Sequence, residues 1–386
     1  MQTTVQPYLA YQLTSSPIYL GLIGFAASFP ALILMLPSGV YIERLNKRIV
    51  VIVMQAIMMV QAFILAFLTL TGRVTIWHII GLALILGTAS AIEITARQSM
   101  IVELVDKQSM PNAIALNSTI FNLARVFGPV LSAPFLIIFQ GTGEGWAFFA
   151  NGFTYLFVIG GLLMINTRSK IDMTKYKTTL LSGFMEGQRY IRQTSTLTLL
   201  IIMVTIPAFF GFPFSQQMPV FASTVLKSIG DTSATVATRN SMMVAAQGGG
   251  ALIAAISLAA FSNIRYKGLA LTVGQFVFAA ALIGFSFSNT ITFSIVCLLL
   301  IGWGTVTHLA MTNTLIQMVI PDHFRGRVMS TYFWAQSGVA PFGSLFIGWL
   351  AQNWGAPLAV GIGGSVCLSA YLLIHLLRPK IRKMEL

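Results

Sequence analysis

The chain has 386 residues, of which 56% are apolar and only 9% charged, and its mean hydropathy is +0.81. Water-soluble domains carry roughly a quarter charged residues, so an ordinary soluble protein is excluded and a polytopic membrane protein is indicated. The formal charge of +13 would suit nucleic acid only if the cations were gathered on a soluble surface, and the topology below distributes them otherwise.

Crossing a hydrocarbon core of about 30 Å as a helix takes about 20 apolar residues. Segment 1–13 is apolar but covers about half that span, so it reads as a partial first helix. It lacks the leading basic region of a signal peptide. Full-length runs follow at 18–41, 49–70, 76–95, 114–139, 146–165, 197–220, 242–261, 268–287, 291–319, 329–350 and 358–377. The expectation is therefore an all-α polytopic fold with eleven full spans plus a partial one. Alternating the loops across the bilayer puts 19 of the 23 cations on one side, which the positive-inside rule makes cytoplasmic together with the C-terminus. No nucleic-acid partner is then needed. Cys297 and Cys367 both fall inside spans, which supports neither a disulfide framework nor a zinc site.

The loop after the second helix reads GVYIERLNKR and carries Gly39, Glu43, Arg44, Lys47 and Arg48. This resembles the loop between helices two and three of the major facilitator superfamily, with glutamate where aspartate is usual. MQTTVQPYLAYQLTSSPIYLGLIGFA is similar to the second half of helix one and the start of helix two in the drug-exporter-like branch. The first half of that helix is missing. An upstream start is expected, because a half-length span leaves backbone groups and a charged amino terminus in lipid without partners; a truncated gene is the competing account. The stretch from Ser90 to Leu131 is the most specific match, to the branch that includes enterobactin-type exporters. Its Gly128-Pro129 resembles the exporters' glycine-proline motif, although Ser132 and Ala133 stand where that motif has glycines. A packing site and a role in blocking leak both fit.

Residues 166–196 break the hydrophobic pattern with six cations and read as the linker between an N-terminal bundle, 1–165, and a C-terminal bundle, 197–377. A basic tail, 378–386, follows. Leu180, Leu181, Phe184 and Ile191 lie roughly on one helix face, so part of the linker is expected to rest on the inner leaflet, with a flexible basic loop as the alternative. The second bundle repeats the loop grammar of the first: MVIPDHFRGRVMS, with Asp322, Arg325 and Arg327, stands where the fourth-to-fifth turn stands. The resemblance implies two six-helix halves built as repeats.

Of ten acidic residues, Glu93 is the one that this topology puts deep in a span. Intramembrane carboxylates are costly and face a water cavity or a cationic partner. Arg97 follows one turn later and Arg125 lies within the fifth span, so a Glu93–Arg125 pair is expected. It would serve either as a proton or cation site or as a fixed ion pair. For Glu43 the resemblance implies a cytoplasmic latch, with Arg44 and Arg48, facing the positive N-terminal end of the eleventh helix; a loop obeying only the charge rule is the bland alternative. The seventh span holds Pro207, Gly211, Pro213 and Pro219, and interrupted helices tend to line substrate paths. With the family's cavity helices, this makes Phe210, Phe214, Gln217, Trp303, His308 and Asn313 candidate wall residues, most of them expected to pack. His308 is also a weak proton-relay candidate. Gly248-Gly-Gly and Gly361-Ile-Gly-Gly read as helix-packing glycines.

Together these features imply a secondary transporter in the plasma membrane, the inner membrane of a bacterium, exporting a small amphipathic, drug-like or siderophore-like compound by alternating access. Protons and the bilayer are the expected partners, with no cofactor or metal, and the transporter is expected to act as a monomer. A lipid or lysophospholipid carrier, or a degenerate non-transporting relative, is the alternative. A membrane enzyme would need clustered acids or a partnered histidine at a membrane face, which His78, His308, His323 and His375 do not supply.

Overall fold

The computed structural model describes residues 1–43, 45–106, 109–139, 141–165, 180–260, 266–321 and 324–379. The side chains of 35–41, 43, 102–103, 110–115, 118–119, 121–122, 125–126, 180–184 and 325–326 lie outside that description. Among the described residues the regular structure is helical. The first bundle is built from α1 (Gln2–Thr14), α2 (Pro17–Glu43), α3 (Lys47–Leu70), α4 (Ile76–Leu104), α5 (Met110–Ile138) and α6 (Gly143–Met164). Helix α7 (Leu180–Gln193) precedes the second, which holds α8 (Ser195–Phe210), the single turn α9 (Met218–Val220), α10 (Ser233–Ala260), α11 (Lys267–Ser286), α12 (Ile291–Val319), α13 (Arg325–Ser337), α14 (Ala340–Trp354) and α15 (Ala356–Leu377).

Nine of the described helices or helical runs are long and apolar enough to cross a membrane. The expected fifth and eleventh spans are not among them. Part of α5 lies among residues whose side chains are outside the description, and the eleventh span is divided into α13 and α14. That division falls at Gly338 and Val339, ahead of Pro341 in the first turn of α14, where a missing N–H is tolerated. The seventh span is broken as its prolines predict. After α8 come a 3-10 segment, Phe212–Gln217, then α9 and a π-turn, Phe221–Val225. Pro207, Pro213 and Pro219 withdraw three N–H donors from what would be one helix.

Within the first bundle α2 packs on α4, and α3 on α4 and α6; within the second α12 packs on α10 and α11, and α15 on α11, α14 and α8. Two long crossings join the bundles, α2 along α14 and α5 along α10. Lipid gives helices no hydrophobic reason to associate, so close approach at small residues and dispersion carry these contacts. At the α2–α14 crossing the backbones meet: a Cβ on Gly21 would stand 2.6 Å from the Ser344 carbonyl and 3.1 Å from the Gly348 Cα. In the two glycine runs, Gly250 lies against Leu299 of α12, and Gly363 against Phe210 of α8.

The end at which α2 gives way to α3 carries the basic loops and is called the basic end; the end at which α1 gives way to α2 is the far end. At the basic end Asn46 caps α3, accepting from the Ile49 N–H at 3.4 Å. Arg48 donates to the carbonyls of Leu162 and Leu163 at 2.7 and 2.6 Å. These are final-turn carbonyls of α6, and a cation satisfies both their hydrogen bonding and the negative end of the helix.

Candidate functional site

Glu93 lies on α4 toward the basic end and is 5% exposed. Its Oε1 accepts from Gln55 Nε2 of α3 at 3.2 Å and lies 3.1 Å from Arg97 Nε, one turn along the same helix. The arginine contact is close without being an aligned hydrogen bond. Arg97 instead aims Nη1 at Asn117 Oδ1 of α5, at 3.5 Å. The expected partner Arg125 has its side chain outside the described residues, and the cation found on Glu93 is Arg97. On α6, Tyr155 is close to Asn151 and near enough to interact with the Glu93 charge.

From Asn151 a chain of amides continues toward the far end. Asn151 Nδ2 donates to Gln2 Oε1 at 3.4 Å, and Gln2 Nε2 donates to Gln6 Oε1 at 3.0 Å and Gln61 Oε1 at 3.2 Å. Gln6 Nε2 then donates to the Ile79 carbonyl at 3.3 Å. Gln55 Oε1 and Gln61 Nε2 are buried and have no hydrogen-bond partner, an expensive state in low dielectric. This amide track was not anticipated from sequence. Its signal was four glutamines, at 2, 6, 55 and 61, in apolar stretches where polar side chains are rare.

The opposite side of α1 meets the second bundle. Asn240 Nδ2 donates to the Thr4 carbonyl at 3.5 Å, and Tyr8 donates to the Ser233 carbonyl at 3.0 Å. Beyond the end of α1, Ser16 donates to Gln352 Oε1 at 2.7 Å. Among the described residues these hydrogen bonds join the bundles, and none of them is at the basic end. Near the seam, the buried Thr4 Oγ1, Asn240 Oδ1, Ser241 Oγ and both amide atoms of Gln217 have no partner.

The other candidate residues are dispersed. Phe210 packs on Phe209 and Phe346, toward α14, and Phe214 on Phe285 of α11. Trp303 is half-buried on α12, while Asn313 accepts from Gln317 Nε2 at 2.6 Å within that helix. His308 is 1% exposed and faces α15, with Nδ1 3.4 Å from the Tyr371 hydroxyl. One turn along α15, His375 Nε2 pairs with Gln275 Oε1 at 2.8 Å. Gly128 lies against the backbone of Met1, and Pro129 is buried behind it. Gly39, Glu43, Arg44, Asp322 and Arg325 lie outside the described side chains, and Lys47 is buried at the start of α3.

Arg327 forms an ion pair with Glu186 of α7 at 2.6 Å and lies 5.8 Å from the centre of the Phe324 ring. Gln188 donates to Thr331 Oγ1 at 2.8 Å, and Tyr190 stacks on Phe324 at 4.3 Å. The described part of α7 therefore docks on α13. Ile191, assigned from sequence to the leaflet, is instead 5% exposed in a cluster with Leu197, Ile316 and Val328. At the far end, Asp231 pairs with Arg239 at 2.8 Å and accepts from the Ser228 N–H at 2.8 Å. The Ser228 bond and then Arg239 hold its carboxyl below the usual range. Among the described residues no three His, Cys, Asp or Glu side chains gather as a metal would require.

The architecture agrees with solved transporters. The crystal structure of the nucleoside transporter NupG superposes with a TM-score of 0.69 at 10% identity, covering 97% of this chain and 94% of that one. An inward-facing bacterial homolog of the human lysosomal transporter Spinster gives 0.69 at 15% identity, over 99% and 92%. In sequence, the staphyloferrin A transporter of Staphylococcus aureus is 25% identical, covering 95% of this chain and 90% of its own length. The multidrug efflux pump Tap of Mycolicibacterium fortuitum is 20% identical, over 98% and 92%. The transmembrane secretion effector family matches residues 1–386. With a transporter's fold and a family match over its whole length, the chain belongs to the transmembrane secretion effector family of the major facilitator superfamily, and is a membrane transporter rather than an enzyme.

Proposed function

We propose that the chain exports a small amphipathic compound across a bacterial inner membrane in exchange for protons, by alternating access between halves 1–165 and 197–377. The observation that carries this reading is the state of Glu93. It is a buried carboxylate with one aligned hydrogen bond and one poorly aligned cation, so it can change partners. A group held this loosely is suited to taking up and releasing a proton. The basic end is the cytoplasmic side by its charge. The hydrogen bonds at Tyr8 and Ser16 support a state shut at the external side. Glu43, Arg44 and Arg48 would then latch the cytoplasmic side in the other half of the cycle.

The test is accumulation of lipophilic dyes and a catecholate siderophore in cells with and without the protein. Lower accumulation that a protonophore abolishes is the expected result. Protonophore-insensitive export would overturn the coupling, and unchanged accumulation of every compound by well-expressed protein would overturn the substrate class.

Within this reading a siderophore-like substrate is favoured over a purely lipophilic one by the unpartnered polar atoms of Thr4, Gln217, Asn240 and Ser241, which a ligand rich in oxygen could satisfy. The staphyloferrin A transporter is a relative of matching length. Gln217→Leu should raise the melting temperature, because an unsatisfied buried amide costs about 1–3 kcal/mol, while raising the KM for such a ligand. A lower melting temperature with unchanged KM would place the amide among structural groups.

A further inference from the structure

The far end holds a cavity of about 300 Å³ whose walls come from both bundles. Gln12, Gly141 and Glu144 of the first bundle line it together with Thr232, Ser233 and Ala234 of the second. Glu144 is only 9% exposed, and no hydrogen-bond or ion-pair partner occupies its carboxylate among the described residues. Its charge reaches the neighbouring Tyr8, the residue that donates to the Ser233 carbonyl.

The start of α10 borders the same cavity. Thr232 Oγ1 accepts from the Thr235 N–H at 3.2 Å, which leaves the N–H groups of Ser233 and Ala234 with no acceptor in their own helix. Arg239 holds this turn in place through Asp231 and through the Ala222 carbonyl, at 2.8 Å. Glu144 is also in the first turn of its own helix, α6. The first turns of α6 and α10 therefore border the same cavity as this carboxylate, and helix N-termini attract negative charge and repel cations. At about 30 Å³ per molecule, the cavity has room for several waters, which could bridge the two sides.

We propose that Glu144 is a latch of the external gate: its carboxylate, bridged by water to the N-terminal N–H groups of α10, holds the far ends of the two bundles together. The attraction exists only while α10 is beside α6, so it stabilises the externally closed state and is lost on opening. This rests on alternating access as proposed above, and it assigns to the external side a carboxylate-to-helix-end contact of the kind expected of Glu43 at the cytoplasmic side.

The test reads conformation without substrate, so its failure is separate from a failure of the export assay. Ala237 lines the cavity and is 2% exposed, while the native Cys297 and Cys367 are 4% and 0% exposed. In nanodiscs, an Ala237→Cys reporter should react with a bulky hydrophilic maleimide about three- to tenfold faster in Glu144→Gln than in the parent, the range for one partly buried charge at a helix N-terminus. Glu144→Asp should restore slow labelling. A Met100→Cys reporter, 5% exposed on α4 toward the basic end, should not be accelerated. Equal rates at Ala237→Cys with and without the carboxylate would overturn the latch. Equal acceleration at both reporters would overturn it too, since that is general loosening.

Discussion

Glu93→Gln should eliminate protonophore-sensitive export while leaving a folded protein that still exchanges substrate down its gradient. Glutamine keeps the shape and can still accept from Gln55 Nε2, now 3.2 Å from the carboxylate. What it loses is the ability to titrate. The lost ion pair has a partly exposed arginine, at 35% for the side chain, so the stability change should be no more than about 1 kcal/mol. Transport coupled to protons requires a group whose charge differs between the two halves of the cycle, and among the described residues no other acidic side chain lies in the interior of a span. Substrate counterflow in proteoliposomes separates the two uses of Glu93. If the residue only ties α4 to α3 and α5, Glu93→Gln would lower the melting temperature and slow counterflow and coupled export together. If it carries the proton, counterflow should survive and only uphill export should fail.

The second large effect should come from Gly21 at the crossing of α2 and α14. A side chain there meets backbone: the Ser344 carbonyl at 2.6 Å and the Gly348 Cα at 3.1 Å from the first added carbon. Backbone cannot rotate away as a flexible side chain can. Gly21→Val must therefore push the two bundles apart, at a cost of about 1–3 kcal/mol or more by analogy with overpacked cores. The crossing also joins the halves that must rock against each other, so transport should be lost along with the fall in melting temperature. Gly160→Ala is the control. Nothing lies within 4 Å of a Cβ there, and exchanging glycine for alanine inside a helix should be neutral or stabilising by about 0.5–1 kcal/mol. Thermal unfolding of both variants checks the pair, and a Gly21→Val protein as stable and active as the parent would show that the crossing yields freely.

Much of the scaffold was legible because membrane physics leaves few options. Long apolar runs must be helices, and the prolines at 207, 213 and 219 predict the break that the seventh span shows. The division of the eleventh span was readable in principle, because Gln336, Ser337 and Gly338 interrupt the apolar run just ahead of Pro341. Glu93 stood out because a carboxylate in an apolar segment is rare. Its contact with Arg97 follows from the four-residue spacing alone. The amide track was not legible, because Gln2, Gln61 and Asn151 belong to three helices and meet only through packing. The direction of His308 depends on how α12 is rotated, and packing turns it toward Tyr371 of α15. Glu144 read as an ordinary helix-end residue because the cavity it lines is completed by α10, which lies far away in sequence.

The central claim, proton-coupled export through Glu93, is tested most directly in inverted membrane vesicles, whose interior corresponds to the outside of the cell. With an imposed inside-acid pH gradient, parent protein should accumulate a lipophilic fluorescent substrate or a catecholate siderophore. A protonophore should release that accumulation, and Glu93→Gln vesicles should show none. Accumulation that survives the protonophore, or that is equal in parent and Glu93→Gln vesicles, would contradict it.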